Sequence, residues 1–158
     1  RGFDRAVVIE PILRKLASAT GESAAFFVRE GNTRICVGRV DGPSPDKRHT
    51  NMGEVLPLDR GAPGRVLLAY SGEPGEPYET IRRAGYFSTI GERDPTLASV
   101  SAPVFGTSHT LAGVISVTGP VDRFKPRAIA SNLKHLREAV TELSRELGNN
   151  VVIVRRRW

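Results

Sequence analysis

Cysteine is almost absent: Cys36 is the one thiol in 158 residues. An internal disulfide and a thiolate metal cluster are therefore excluded, and the strand-like run Arg34-Ile35-Cys36-Val37 reads this thiol as a core filler. Histidine is nearly as scarce, and His49, His109 and His135 lie too far apart in sequence to make a metal-ligand pair. No apolar run reaches the about 18 residues that a membrane span needs, and no charged start with a small-residue cleavage site marks a signal peptide. A soluble, cytoplasmic chain is expected. Also missing are the glycine-x-serine-x-glycine elbow of hydrolases, the lysine of a P-loop and the dinucleotide-binding glycine pattern. A Ser-His-Asp set could in principle be assembled from Ser108, His109 and Asp94, but a serine beside its histidine on a loop is weak ground for one. No catalytic residue, metal or cofactor is expected.

What is present is the material of one domain. A chain of this size buries roughly 70% of its unfolded surface, enough for a real core. The net charge is +6, but Arg155, Arg156 and Arg157 supply three of those charges in a terminal tail, and the other basic residues are scattered among seventeen acidic ones. No basic face interleaved with aromatics appears, so the charge reads as a solvated surface and not as a nucleic-acid interface. The chain opens on Arg1 and enters helix-like sequence at once, which suggests a piece of a longer protein.

Residues 4–19 place Val8, Ile12 and Leu16 at helical spacing, with Ala6, Ile9 and Leu13 widening the stripe. Pro11 inside this run predicts a kink. Two strand-like runs, 23–28 and 33–40, flank a turn containing Gly31 and Asn32. A loop over 41–48 and a short extended run over 51–58 follow. Residues 58–64 turn tightly into a helix that reaches Tyr70, with Pro63 suited to its first turn. That turn is either an anion-holding helix start or a simple strand-to-helix connection. A short helix over 78–84 and an extended segment over 85–90 come next. The longest helix, 126–147, carries Ile129, Leu133, Leu136, Val140, Leu143 and Leu147 in alternating steps of four and three, a seam for packing on the sheet. Gly148-Asn149-Asn150 is expected to stop it, leaving an extended tail over 151–154.

The most informative stretch is Leu111-Ala112-Gly113-Val114-Ile115-Ser116-Val117-Thr118-Gly119-Pro120. Its period of two sends Ile115 and Val117 to one face and Val114, Ser116 and Thr118 to the other. In the preceding run, 98–105, Ser99 and Ser101 alternate with Val100, Ala102 and Val104. The two runs form a hairpin with hydroxyls recurring on one side of an otherwise apolar sheet. The whole reads as an α+β fold: a mainly antiparallel sheet of about six strands, helices packed on one face, and loops closing a pocket on the other.

Four stretches, taken together, resemble a known family: Leu56-Pro57-Leu58 with Gly61-Ala62-Pro63-Gly64-Arg65 and Leu67-Leu68-Ala69; Arg83-Ala84-Gly85-Tyr86; Ser99 to Val104; and Ala112 to Pro120. Leu143-Ser144-Arg145-Glu146-Leu147-Gly148 fits as well. The family is the C-terminal effector-binding domain, GAF-like in fold, of IclR-type bacterial transcription regulators. The resemblance implies a sensor without chemistry of its own. A separate N-terminal winged helix-turn-helix, absent from these residues, would read operator DNA, and the protein would be a homodimer or homotetramer. Residues 1–20 would continue a helix from the interdomain linker, 21–148 would bind the effector, and 149–158 would form a tail.

Carried over by motif, the implied ligand-binding residues are Ala62, Pro63, Thr89, Ser99, Ser116 and Thr118. Ala62 and Pro63 stand where family members present backbone, although Pro63 has no N–H to donate. Thr89 stands where a carboxylate is common, Ser99 where some members have cysteine, and Ser116 and Thr118 match paired hydroxyl positions. The expected pocket is neutral and hydroxyl-rich, without a charged anchor, and suited to a small organic acid, with aromatic acids included because Leu58, Phe87 and Leu97 are near in sequence. The alternative reading is a GAF-type sensor or dimerisation domain of a signalling protein that does not bind DNA.

Overall fold

The computed structural model describes residues 5–43 and 51–156, with side chains described over 6–43 and 51–148. Part of the expected loop at 41–48, His49 and the side chains of the arginine tail lie outside that range. In chain order the elements are α1 (Arg5–Thr20), β1 (Ser23–Glu30), β2 (Thr33–Val40), β3 (Val55–Pro57), α2 (Ala62–Ala69), α3 (Tyr78–Ala84), β4 (Phe87–Ile90), β5 (Leu97–Phe105), β6 (Leu111–Pro120) and α4 (Pro126–Arg156). The strands form one six-stranded sheet in the order β3-β2-β1-β6-β5-β4, and each neighbouring pair is antiparallel. The fold is the expected α+β one.

The period-two alternation of β5 and β6 divides the interior into two cores. Ala98, Val100, Ala102, Val104, Ile115 and Val117 meet Ile9, Ile12, Leu13, Leu16 and Ala17 of α1 and Leu136, Leu143 and Leu147 of α4 on one face. Val114 joins Ala25, Phe27 and Cys36 on the other face, against Val66 and Leu67 of α2 and Ile81 of α3. Helices thus lie on both faces, where loops were expected to close the second. Each fully buried aliphatic side chain in these layers contributes about 1.5–3 kcal/mol. Cys36 is fully buried and is indeed a core filler.

Three local features depart from regular geometry. Pro11 falls inside α1, which stays helical on both sides of it. The carbonyl that loses a donor there belongs to Val7, which is 69% exposed, so water can satisfy it. The second feature is in β2. Phe26 pairs with Gly38 and Phe27 with Cys36, so Val37 is an extra residue and β2 bulges. A Cβ on Gly38 would lie 2.9 Å from Ile9 Cγ2 and 3.2 Å from Leu13 Cδ1, so glycine lets α1 sit close over the bulge.

The third feature is the end of α4. The helix does not stop at Gly148-Asn149-Asn150; it runs on to Arg156, and the segment expected to be extended is helical. A single internal glycine costs a helix only about 1 kcal/mol, and propagation from a long packed helix outweighs that. Two substitutions check these packings by urea denaturation. Gly38→Val is expected to destabilise by about 1–3 kcal/mol through the clash with Ile9 and Leu13. Gly148→Ala meets open space and is expected to stabilise by about 0.5–1 kcal/mol; a loss instead would place a helix stop at Gly148.

Candidate functional site

Strand register brings hydroxyls from four strands into one row. Thr89 on β4 pairs with Ser99 on β5, Ser99 pairs with Thr118 on β6, and Thr118 pairs with Ser23 on β1. Directly paired residues of antiparallel strands share a face, so the row crosses the sheet laterally. Ser99 Oγ lies 2.6 Å from Ser116 Oγ and 3.1 Å from Thr118 Oγ1, and Ser101 donates to Ser116 at 2.8 Å. Ser101 and Ser116 are fully enclosed, at 0% and 1% exposure. Buried hydroxyls need partners, and these serines partner one another.

The start of α2 stands over this row. Gly61 adopts φ 84°, a left-handed conformation that costs glycine little, and so turns the chain from β3 into the helix. Gly64 completes the turn: a Cβ there would lie 2.8 Å from Arg34 Nη1. Of the six residues expected to hold a ligand, Ala62, Pro63, Thr89, Ser99 and Thr118 line one cavity of about 40 Å³, together with Ser23. Ser116 does not reach that cavity. It lies one row deeper, bonded to Ser99 and Ser101, and supports the floor.

The cavity is not neutral. Arg34, Arg39 and Arg93 line it, with Glu92 and Asp94, so the expectation of a pocket without charged groups is corrected. Arg34 is 1% exposed. Its Nη1 donates to the Pro57 and Arg60 carbonyls at 2.7 and 2.8 Å, and its guanidinium lies 5.2 Å from the centre of the Phe27 ring. Burial, with Arg93 nearby, pushes its pKa down to about 10, so it remains a cation at neutral pH. Arg39 forms an ion pair with Asp41, donating from Nε at 2.9 Å. Glu92 accepts from the Gly61 N–H at 2.6 Å and pairs with Arg65 at 3.0 Å, which ties the polar loop before β5 to the first turn of α2.

Sequence reasoning could have found Arg34, since it alternates with Cys36 and shares its inward face. Arg39 was not legible that way. Five positions separate it from Arg34, and in a regular strand an odd separation sends two side chains to opposite faces. The extra residue in β2 flips the parity, and Arg39 pairs with Ala25 on the cavity side. Ser23 sits at the first position of β1 and joins the row only through register.

The candidate triad is not assembled. Asp94 precedes β5 and Ser108 and His109 follow it, with the nine residues of that strand between them, about 30 Å of extended chain. Among the described residues, no group of three or more His, Cys, Asp or Glu side chains is placed to hold a metal ion, and no helix is long and apolar enough to cross a membrane.

An α+β domain with a six-stranded antiparallel sheet and a partly open cavity lined by hydroxyls and charged groups is the class that this fold and site define. Residues 3–78 and 75–145 match the family model described as bacterial transcriptional regulator IclR C-terminal; the chain belongs to that family. It is 22% identical to the HTH-type transcriptional regulator KipR of Bacillus subtilis over 89% of this chain and 66% of that one. The chain spans 57–66% of the length of the curated regulators it matches. Among solved structures, it superposes on Thermotoga maritima IclR with a TM-score of 0.84 at 21% identity, covering 94% of this chain and 70% of that one. The C-terminal domain of a transcriptional regulator from Vibrio cholerae gives a TM-score of 0.77 at 28% identity, covering 89% and 97%. These relatives are transcription regulators and not enzymes, in agreement with the expectation of no catalysis.

The network makes Ser116 a structural residue. Ser116→Ala is expected to lower stability by about 1–3 kcal/mol, because it leaves the enclosed Ser101 hydroxyl without its acceptor; equilibrium unfolding would measure it. Thr118→Ala, at the partly exposed end of the network, is expected to cost less.

Proposed function

We propose that this domain is the effector sensor of a cytoplasmic transcription regulator. It would hold a small organic acid in the cavity beneath the start of α2, and it would act on operator DNA through a helix-turn-helix on a separate N-terminal domain, as a homodimer or homotetramer. The observation that carries the reading is the row Thr89-Ser99-Thr118-Ser23, four hydroxyl-bearing residues from four strands facing one partly open cavity. Core packing alone favours apolar side chains there; a polar floor under such a space is what a polar ligand requires.

Size narrows the ligand. A cavity that accepts benzene measures about 150 Å³, against about 40 Å³ here. A short aliphatic acid of a few carbons fits better than an aromatic one. Hydrogen bonds that involve a charged group contribute about 1.5–3 kcal/mol each, and association costs several kcal/mol, so two or three such bonds correspond to micromolar to millimolar affinity.

The signal has a short route out. Ser23 lines the cavity, and its Oγ accepts from the Gly42 N–H at 3.1 Å. Its neighbour Glu22 is 5% exposed and takes two hydrogen bonds from Arg123, at 2.9 and 2.7 Å. Residues 20–23 thus join the end of α1 to the cavity, while the Glu22–Arg123 pair holds that joint against the turn before α4. A ligand that moves Ser23 by a fraction of an ångström would tilt α1, the helix nearest the expected DNA-binding part. A coupling of about 1–3 kcal/mol is the usual scale for such regulation.

A thermal-shift screen with short aliphatic and aromatic carboxylic acids checks the reading. At about a hundred times its dissociation constant, a bound acid is expected to raise the Tm by about 5–10 °C, and the shift is expected to vanish in the Ser99→Ala, Thr118→Ala double variant. A flat response across the panel, aliphatic and aromatic alike, would count against an acid effector.

A further inference from the structure

We propose that Arg34 and Arg39 together form an anion seat in the wall of the cavity, so that the ligand is held as a carboxylate by donor groups of both side chains. This rests on the reading of the cavity as an effector site and names the charge that site selects. The starting observation is an imbalance. Buried side-chain donors and acceptors in folded proteins are nearly all paired, yet Arg34 Nε and Arg39 Nη2 are both enclosed and have no hydrogen-bond partner. Both belong to residues that line the same cavity; the two atoms lie just behind its surface, so an oxygen seated on them requires a small turn of each side chain.

Neither arginine uses its full set of donors. A guanidinium carries five N–H donors in a rigid fork and accepts nothing. Arg34 uses Nη1 on two backbone carbonyls, and Glu54 is near enough to act on it by charge. Arg39 has Asp41, whose Oδ1 lies 2.9 Å from Nη2 as an ion pair, but the hydrogen bond runs from Nε and Nη2 is left without one. The Arg39 side chain is 9% exposed and that of Asp41 47%, so the pair has its acid outward and its cation inward.

The acids of the cavity rim are engaged as well. Glu92 is held by Gly61 and Arg65, and Asp94 accepts from both the N–H and the hydroxyl of Thr96. A guanidinium enclosed with donors unused is costly to fold around, and an incoming carboxylate would supply further acceptors and negative charge. Planar, two-oxygen recognition is the task for which arginine is better shaped than lysine. The same seat would bring the ligand charge next to the first turn of α2, whose leading N–H groups have no intrahelical acceptor.

The bulge in β2 is what makes a pair possible. Without the extra residue Val37, Arg39 would face α1 and β2 would bring Arg34 alone to the cavity. The Phe27 ring beside Arg34 fixes the plane of its guanidinium, and the Pro57 and Arg60 carbonyls fix its reach. One geometry therefore positions both cations before any ligand arrives.

The test is a titration of the whole chain with formate, acetate, propionate and malonate, each beside its neutral amide, followed by calorimetry and by the arginine Nε–H resonances in nitrogen-15 spectra. Arg34→Lys and Arg39→Gln assign the two resonances. The expected result is binding of at least one acid, at least 30-fold tighter than its amide, with both Nε–H resonances shifting as the acid saturates, and a 10- to 100-fold loss of affinity in Arg39→Gln. Two results would overturn the seat while leaving the sensor reading in place: an amide that binds as tightly as its acid, or unchanged affinity in Arg39→Gln. If neither acids nor amides bind and neither resonance moves, the seat and the acid-sensor reading fall together. Should Arg34→Lys fail to fold, Arg39→Gln and the resonances of the unaltered chain still decide the question.

Discussion

The sheet has no wet face at its centre, and most of this structure follows from that constraint. Strands β1, β6 and β5 carry α1 and α4 on one side and α2 with α3 on the other. A polar side chain on these strands cannot turn to solvent and must find its partner inside. Ser99, Ser101 and Ser116 do so by bonding to one another, and Thr118 joins them at the edge of the cavity. A hydroxyl cluster so placed costs the core little when fully satisfied, and it leaves a polar floor wherever the helices above do not meet the sheet.

The turn before the eight residues of α2 is tied to β2 by Arg34, whose guanidinium donates to the Pro57 and Arg60 carbonyls. The side chain therefore has a structural task and a second one. It fixes the turn, and it leaves an enclosed positive charge beside the space the turn roofs. Gly64 is the local condition for this arrangement, since any larger residue would press on the guanidinium. The energetic tension of a buried cation is borne by two carbonyls and an aromatic ring.

The bulge at Val37 serves two sides of the sheet at once. On one side it presents Gly38 to Ile9 and Leu13, which lets α1 lie close to β2. On the other it redirects Arg39 into the cavity. The helix on one face of the sheet and the strand that walls the cavity on the other are thus joined through one backbone irregularity, and the tight Glu22–Arg123 pair closes the same helix onto the turn before α4.

Local pattern made much of this legible. The alternation in 98–105 and 111–120 separates the core face from the hydroxyl face correctly, because side-chain direction in a strand depends only on parity. The apolar spacing of α1 and α4 identifies their buried stripes for the same kind of reason, and the motif around Gly61 and Pro63 marks the start of α2. Other features needed the assembled sheet. Which hydroxyls share a row depends on register between strands distant in sequence, so Ser23 was invisible and the position of Ser116 behind the cavity lining could not be read. The place of Arg39 in the cavity was missed because one extra residue in β2 inverts parity beyond it. The end of α4 was misjudged because a local glycine signal competes with a long helix already anchored by Leu136, Leu143 and Leu147. Periodicity and turn chemistry are properties of neighbouring residues, and the sequence determined them by itself; register, bulges and the pairing of buried charges are settled between distant segments, and only the tertiary structure could decide them.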